Sequence, residues 1–176
     1  MANRIYLTGF MGSGKSTIGP ILANTLGWDF FDLDIVIQKK ENNTVSKIFE
    51  EKGEDYFRKL ESETLRELSS KENSVIALGG GTITIKANIE ILKKSGKTIY
   101  LRISPESAYY RLRNKRDRPV LMKNGAVNLG KNEFINKIKH LLDSRKEFYE
   151  QADFIIDADK ESLGKTVDMI VKLISE

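Results

Sequence analysis

The sequence predicts an α/β domain of three layers, in which a five-stranded parallel sheet lies between helices. Two observations predict this fold class. Short apolar runs alternate with amphipathic helical patterns along the whole chain, which is typical of repeated strand–helix–strand units. The length of 176 residues suits one domain, and no linker or internal repeat divides it.

Strands are predicted at short apolar runs that are bounded by polar or glycine-rich segments. The five predicted strands span residues 5–8, 28–31, 75–78, 98–101 and 154–156. The first strand runs into a glycine-rich loop, and the third runs into three consecutive glycines.

Helices are predicted from apolar residues at helical spacing and from the residues that begin and end helices. The first helix spans about Lys15 to Leu26, and Gly27 ends it. Ser104 followed by Pro105 marks the start of another helix, with serine as the cap. The other helical patterns span about 35–70 (with breaks near Asn42 and at Gly53), 87–94, 132–149 and 163–174.

Residues 114–130 interrupt this alternation. The segment is charged, contains proline and glycine, and has no clear period. A loop of this length in a compact domain is usually functional or mobile. We therefore interpret residues 112–128 as a mobile lid on a single domain that spans residues 1–176.

Composition excludes some classes of protein and leaves others open. The chain has no cysteine, so neither disulfides nor a thiolate metal site is possible. The first apolar run is too short for a signal peptide or a membrane span, which predicts a cytoplasmic protein with no membrane partner. A net charge of +4 fits a site for anionic ligands as well as nucleic acid, and no basic stripe interleaved with aromatics favours nucleic acid.

Residues Gly9–Ser16 match the phosphate-binding pattern G-x-x-x-x-G-K-[ST], between a predicted strand and a predicted helix. Glycines allow backbone N–H groups to surround phosphate oxygens, and the helix N-terminus favours an anion. Lys15 can reach the β- and γ-phosphates, and the Ser16 hydroxyl can bind Mg²⁺. The predicted nucleotide-binding residues of this loop are Gly12, Ser13, Gly14, Lys15, Ser16 and Thr17.

Asp32 and Asp34 follow the second predicted strand, where the carboxyl ends of parallel strands form a ligand crevice. At a spacing of two they would point to the same side of an extended chain. One could bind the metal and the other the acceptor hydroxyl. The alternative is that the pair caps or precedes the helix that starts near Ile35.

Further candidates are a run of glycines and several arginines. Residues Gly79–Gly81 indicate a close approach of the backbone to a bound substrate or phosphate, or alternatively a plain turn. Arg58 and Arg145 offer planar donors for a carboxylate or phosphate, although most helical arginines are only solvated or paired. The predicted lid begins among four arginines, which closure could bring onto phosphates: Arg111, Arg113, Arg116 and Arg118.

Taken in order, these motifs resemble those of the shikimate kinase family over nearly the whole chain. The matching residues are Gly9–Thr17, Asp32 with Asp34, Gly53–Arg58, Leu78–Gly81, Arg118 with Pro119, and Arg145. The resemblance implies a P-loop fold like that of nucleoside monophosphate kinases. It also implies ATP-dependent phosphorylation of the 3-hydroxyl of shikimate, in the biosynthesis of chorismate and aromatic amino acids.

On the nucleotide side, the resemblance implies that Lys15 binds the β- and γ-phosphates of ATP. Ser16 and, through water, Asp32 would hold one Mg²⁺ ion. Arg118 of the lid would contact the transferred phosphoryl group, and Arg111 would stack on adenine. Lys15, Asp34 and Arg118 are thus the expected catalytic residues.

On the acceptor side, the resemblance implies that Asp34 hydrogen-bonds the substrate hydroxyls and acts as the base. Arg58 and Arg145 would hold the substrate carboxylate, and the Gly79–Gly81 backbone would close the pocket. Residues 34–70 would form the helical region that binds the substrate.

Two alternatives remain beside this prediction. The chain could be a P-loop kinase for gluconate or a nucleoside monophosphate, although neither substrate needs two arginines on a carboxylate. It could also be a nucleotide-binding regulator without catalysis, which would be expected to lose Lys15, Asp34 or Arg118. The expected partners are ATP and shikimate only, and the expected state is a monomer.

Overall fold

The structure is a computed structural model that describes residues 4–113 and 130–175. In these ranges the strands are β1 (Arg4–Thr8), β2 (Asp29–Asp32), β3 (Ser74–Ala77), β4 (Lys97–Arg102) and β5 (Phe154–Asp157). They form one sheet in the order β2-β3-β1-β4-β5, and all neighbouring strands are parallel. The predicted α/β class with a five-stranded parallel sheet is confirmed.

The described helices are α1 (Lys15–Leu26), α2 (Leu33–Glu41), α3 (Val45–Leu68), α4 (Lys86–Ser95), α5 (Pro105–Leu112), α6 (Lys131–Tyr149) and α7 (Leu163–Ser175), with a short 3₁₀ helix at Thr82–Thr84. Gly27 ends α1 with a φ of 68°, and the Ser104 side chain caps α5, as the sequence predicts. None of the helices in residues 4–113 and 130–175 is long and apolar enough to cross a membrane.

Alternating side chains of each strand face opposite layers of helices. On one side, Ile5 and Leu7 of β1 pack in a core with α1 and α7. On the other side, Tyr6 of β1 packs in a core with α2, α3 and α4. Because both faces of the sheet are covered, the middle of each strand is apolar on both faces, and the polar residues stand toward the strand ends.

The helical region after β2 bends at two predicted positions. Asn42 ends α2 in the left-handed conformation, with a φ of 49°. Within α3, Gly53 has a φ of 84° and a ψ of 170°, so the helix changes direction there. This bend separates a first segment, capped by Thr44, from the longer segment that carries Arg58.

Asp153, in the turn before β5, joins that turn to the start of β4. Its carboxylate accepts hydrogen bonds from the Thr98 N–H at 2.8 Å, the Thr98 hydroxyl at 2.8 Å and the Lys97 Nζ at 3.2 Å. Burial alone would raise the pKa of Asp153, but these hydrogen bonds outweigh it and the pKa is lowered.

We expect Asp153→Ala to lower the free energy of unfolding by about 1–2 kcal/mol at neutral pH, because the Thr98 and Lys97 donors lose their acceptor. A lowered pKa stabilises the fold above the ordinary carboxyl pKa of about 4, and this contribution is lost as the pH falls through the lower, folded-state value. The difference in the free energy of unfolding between the parent and Asp153→Ala, measured with urea, should therefore shrink below about pH 4. A constant difference across this range would contradict the assignment.

Candidate active site

The loop between β1 and α1 turns sharply at the carboxyl edge of the sheet. Gly9, Gly12 and Gly14 have φ values of 144°, 79° and 99°, which glycine adopts far more readily than other residues. A Cβ on Gly9 would lie 2.6 Å from the carbonyl oxygen of Leu101 in β4. The glycines of the predicted phosphate loop are therefore required by its geometry.

Helix α1 begins with its N-terminal N–H groups directed at this loop. Gly14 is the N-cap residue, and no side chain caps the helix. The Nζ of Lys15 bends back over the loop and donates to the carbonyl oxygens of Gly9 and Phe10, at 2.7 Å and 3.0 Å. A helix N-terminus without a side-chain cap, with an ammonium group above it, is an arrangement suited to a phosphate chain.

The side chains of Ser16 and Asp32 meet where α1 faces β2. The Ser16 hydroxyl donates to Oδ2 of Asp32 at 2.8 Å. Oδ1 of Asp32 accepts from the backbone N–H groups of Asp34 and Ile35, at 3.1 Å and 3.2 Å, and so caps α2. The helix-cap alternative is thus correct for Asp32, and its other oxygen still faces the phosphate loop.

The reason predicted for the closeness of Asp32 and Asp34 is wrong. They do not lie on one extended strand, because β2 ends at Asp32 and Asp34 is already in the first turn of α2. Both side chains nevertheless line the same cleft as Lys15 and Gly80. Asp32 is directed into the site as the last residue of β2 and the cap of α2, and Asp34 is directed there from the first turn of α2.

The donor set at Ser16 and Asp32 fits a hard divalent cation. A hydroxyl and a carboxylate are oxygen ligands of the kind that Mg²⁺ prefers, and Mg²⁺ keeps most of its shell as water and phosphate oxygens. In the described residues, no group of three or more acidic, histidine or cysteine side chains could form a cage around a metal. These residues therefore suit a metal that arrives with a nucleotide.

The backbone of Gly79–Gly81 packs closely against charged side chains. A Cβ on Gly79 would lie 2.8 Å from Oε1 of Glu61 and 3.0 Å from Oδ1 of Asp34. A Cβ on Gly81 would lie 2.6 Å from Nη2 of Arg58. The backbone of these glycines thus approaches a group of side chains closely, so it does not form a plain turn. That it also approaches a substrate or phosphate stays a prediction.

Arg58 is held in place by Glu61, for which the sequence analysis predicted no role. Nη1 of Arg58 donates to Oε2 of Glu61 at 2.9 Å, and the Thr82 hydroxyl donates to Oε1 at 2.6 Å. Glu61 is fully buried although it lies in a charged stretch of sequence. Its spacing of three residues from Arg58 on one helix was the available signal.

Arg145 of α6 approaches the same loop from the other side. It is buried, and its Nη1 donates to the carbonyl oxygen of Gly80 at 3.0 Å. Arg58 and Arg145 are 87 positions apart in the sequence, yet both contact neighbouring residues of this loop. The structure therefore brings together the two arginines that were predicted as a pair.

Arg111 lines the cleft beside the phosphate loop. Its Nη1 donates to the Gly12 carbonyl at 2.8 Å, and its Nη2 lies 3.5 Å from Oδ1 of Asp159. The cleft has a volume of about 400 Å³, which suits a small ligand. Its lining includes all the predicted loop residues from Gly12 to Thr17 and, unpredicted, Ala158, Glu161, Leu163 and Thr166.

Arg113, near the start of the predicted lid, is the last residue described before position 114, and its guanidinium lies 5.3 Å from the ring centroid of Tyr110. Arg116 and Arg118, and nearly all of the lid predicted at 112–128, lie outside the described residues.

A family model described as shikimate kinase matches residues 11–175 of the chain. The chain is 44% identical over 170 residues to a shikimate kinase of Chlorobium limicola, covering 97% of this chain and 85% of the relative. It is 41% identical to a shikimate kinase of Chlorobaculum tepidum, covering 97% and 89%.

Solved structures agree with these sequence matches. A shikimate kinase from Acinetobacter baumannii in complex with shikimate superposes with a TM-score of 0.90 at 35% identity, covering 99% of this chain and 93% of the other. A shikimate kinase from Aquifex aeolicus gives a TM-score of 0.82 at 37% identity, covering 98% and 96%. A deoxyadenosine kinase from M. mycoides, at 16% identity and a TM-score of 0.58, shares only the fold.

Proposed function

The chain belongs to the shikimate kinase family, and we propose how its residues perform the reaction of that family. The γ-phosphoryl group of ATP is transferred to the 3-hydroxyl of shikimate, which yields shikimate 3-phosphate and ADP. The enzyme is therefore a phosphotransferase with an alcohol as acceptor, in the biosynthesis of chorismate and aromatic amino acids.

The loop before α1 binds the phosphates of ATP. Backbone N–H groups between Gly12 and Thr17 surround the phosphate oxygens, and Lys15 leaves its loop carbonyls to contact the β- and γ-phosphates. Arg111 is proposed to bind the adenine end, since it lines the cleft beside Gly12. Ser16 and Asp32 would hold one Mg²⁺, which neutralises phosphate charge when bound.

The acceptor lies between Asp34 and the Gly79–Gly81 loop. Arg58 and Arg145 bind its carboxylate, because both guanidinium groups lie against this loop and present planar pairs of donors. Asp34 accepts a hydrogen bond from the 3-hydroxyl. The hydroxyl oxygen then forms a bond to the γ-phosphorus, the bond to the β,γ-bridging oxygen breaks, and the proton passes to Asp34.

Charge on the transferred phosphoryl group is balanced by cations on both sides. The transition state of phosphoryl transfer needs little covalent assistance from the protein, so positioning and electrostatic stabilisation provide most of the rate acceleration. Lys15 supplies one positive charge from the phosphate loop. Arg118 is proposed, from the family resemblance, to supply another from the lid.

One observation carries this proposal: Asp34 lines the same cleft as Lys15 and also lies against Gly79. A carboxylate is thus available between the phosphate site and the two arginines. The test is ADP release from MgATP with shikimate, gluconate or AMP added in parallel. We expect stimulation by shikimate alone, and stimulation by gluconate or AMP instead would overturn the assignment of the acceptor.

The alternatives are not favoured. The curated relatives at 38–44% identity are shikimate kinases, whereas nucleoside kinases match only at the level of the fold. We further propose a monomer that acts in the cytoplasm without a membrane partner. A net charge of only +4 supports the further proposal that it has no nucleic-acid partner. Sedimentation velocity is expected to give one species of monomer mass, and a dimer would contradict this.

We expect Gly81→Ala to raise the KM for shikimate about tenfold or more, because the added Cβ would displace the Arg58 guanidinium from Glu61. The φ of Gly81 is −106°, so alanine fits the backbone and the fold should persist. The KM for ATP should stay within about twofold, since Arg58 is not among the residues that line the cleft at the phosphate loop. Gly164→Ala, at an exposed glycine with open space around it, is the matched control. Equal KM values for shikimate in the two variants would contradict the role of Arg58.

A further inference from the structure

In the described part of the chain, the carbonyl oxygen of Gly80 accepts hydrogen bonds from two side chains of α6. Nη1 of Arg145 donates at 3.0 Å, and the hydroxyl of Tyr149 donates at 2.6 Å. Arg145 and Tyr149 are four residues apart and so lie on one face of the helix, one turn apart. A single face of α6 thus holds the middle of the glycine loop at one backbone atom.

The side chain of Tyr149 is held in place by its surroundings, so its hydroxyl can hold this loop in position. Its side chain is fully buried, and its ring stacks on Tyr100 of β4, with the centroids 4.9 Å apart and the planes at 14°. Ile83 belongs to the same apolar cluster. Burial raises the pKa of the Tyr149 hydroxyl, and the opposing effect of the Arg145 charge does not overcome it. The hydroxyl therefore remains a proton donor at neutral pH.

In the proposed function the guanidinium of Arg145, which has five N–H donors, serves two acceptors, and a turn toward the second would weaken its bond to the first. One is the Gly80 carbonyl, to which it is bonded in the structure. The other is the carboxylate of the substrate. Leaving a carbonyl in a partly buried loop without any hydrogen-bond donor costs free energy. Without a second donor on Gly80, part of the gain from binding the carboxylate would be lost.

We propose that Tyr149 is a positioning residue for the acceptor, which acts by keeping the Gly80 carbonyl hydrogen-bonded while Arg145 turns to the substrate carboxylate. This inference rests on the proposed function, because that function assigns Arg145 to the carboxylate. Tyr149 touches neither nucleotide nor substrate in this role. It holds the loop backbone in place and reduces the cost of releasing Arg145.

The test is calorimetric titration of the whole protein with shikimate and, separately, with ATP. Tyr149→Phe removes the hydroxyl and keeps the stacked ring, and Tyr100→Phe is the matched control because it removes a hydroxyl from the other ring of the same pair. We expect Tyr149→Phe to weaken the Kd for shikimate about fivefold to twentyfold, as one lost hydrogen bond would. Its Kd for ATP, and both values in Tyr100→Phe, should stay within about twofold of the parent.

The binding stoichiometry separates loss of folded protein from loss of affinity, because only folded molecules contribute sites. An unchanged shikimate Kd in folded Tyr149→Phe would overturn the inference. Equal weakening of ATP and shikimate binding would also overturn it, as would failure of the variant to fold, since either result makes Tyr149 a general structural residue. If the parent protein itself does not bind shikimate, the proposed function fails instead.

Discussion

Lys15→Met is expected to lower kcat for shikimate phosphorylation by at least about 10³-fold, because the variant lacks the cation that stabilises charge on the transferred phosphoryl group. In the structure this ammonium donates to the carbonyl oxygens of Gly9 and Phe10, which belong to the turn at the edge of the sheet. The loop therefore presents its charge where we propose that the phosphate chain of ATP binds. Methionine has a similar length and no charge, so the loop should retain its shape.

The measurement is coupled ADP release at saturating shikimate. Lys39→Met is the control, because it changes the net charge by the same amount and Lys39 is exposed in the last turn of α2. It should retain activity within about twofold of the parent, as expected for surface substitutions away from a site. A kcat for Lys15→Met within about tenfold of the parent value would show that Lys15 is not a catalytic residue, because the loss of its charge is expected to cost far more.

Asp34→Asn is expected to lower kcat by about 10²–10³-fold while leaving the affinity for ATP nearly unchanged. The amide keeps the shape of the side chain but can neither take a proton nor attract the hydroxyl as a carboxylate does. The start of α2 should be unaffected, because Asp34 contributes its backbone N–H, not its side chain, to the cap formed by Asp32.

Single-turnover phosphoryl transfer and calorimetric ATP binding together test this prediction. Asp29→Asn, at the exposed opposite end of β2, is the matched control and should behave like the parent enzyme. Near-parental turnover in Asp34→Asn would show that this carboxylate neither orients nor deprotonates the acceptor.

The phosphate loop and the helix ends could be predicted because their causes lie within a few residues. Gly9–Ser16 must turn and then cap a helix with its own backbone, which constrains consecutive positions. Ser104 caps α5 and Gly27 ends α1 for equally local reasons. Such features depend on conformational preference and nearby hydrogen bonds, both of which are visible in sequence.

The junction between β2 and α2 could not be predicted in detail, because the pairing of β2 with β3 determines where the strand ends. Asp32 extends the strand by pairing with Ala77, and the next residue already belongs to a helix. From sequence alone, the strand was placed one residue too early and Asp34 was assigned to extended chain. Nothing near Asp32 in the sequence indicates that Ala77 lies beside it.

Glu61 shows the same limit for the site itself. It stands in a stretch of alternating charges that is typical of a solvated helix face. It is nevertheless buried beside Thr82, 21 positions later, whose hydroxyl donates to it. Whether an acidic residue on a helix is exposed or supports an arginine depends on contacts that helical spacing alone does not reveal.

The central position of β1 also has a consequence for how the chain folds during synthesis. Its partners are β3, which begins 70 positions later, and β4, which begins 93 positions later. The strand that leads into the phosphate loop therefore leaves the ribosome long before either neighbour exists, with apolar side chains meant for both faces of a sheet. Parallel pairing over such separations is slow and leaves strand edges open to other chains. The strand that leads into the proposed ATP-binding loop is thus also the strand whose first pairing partner is synthesised after the longest delay.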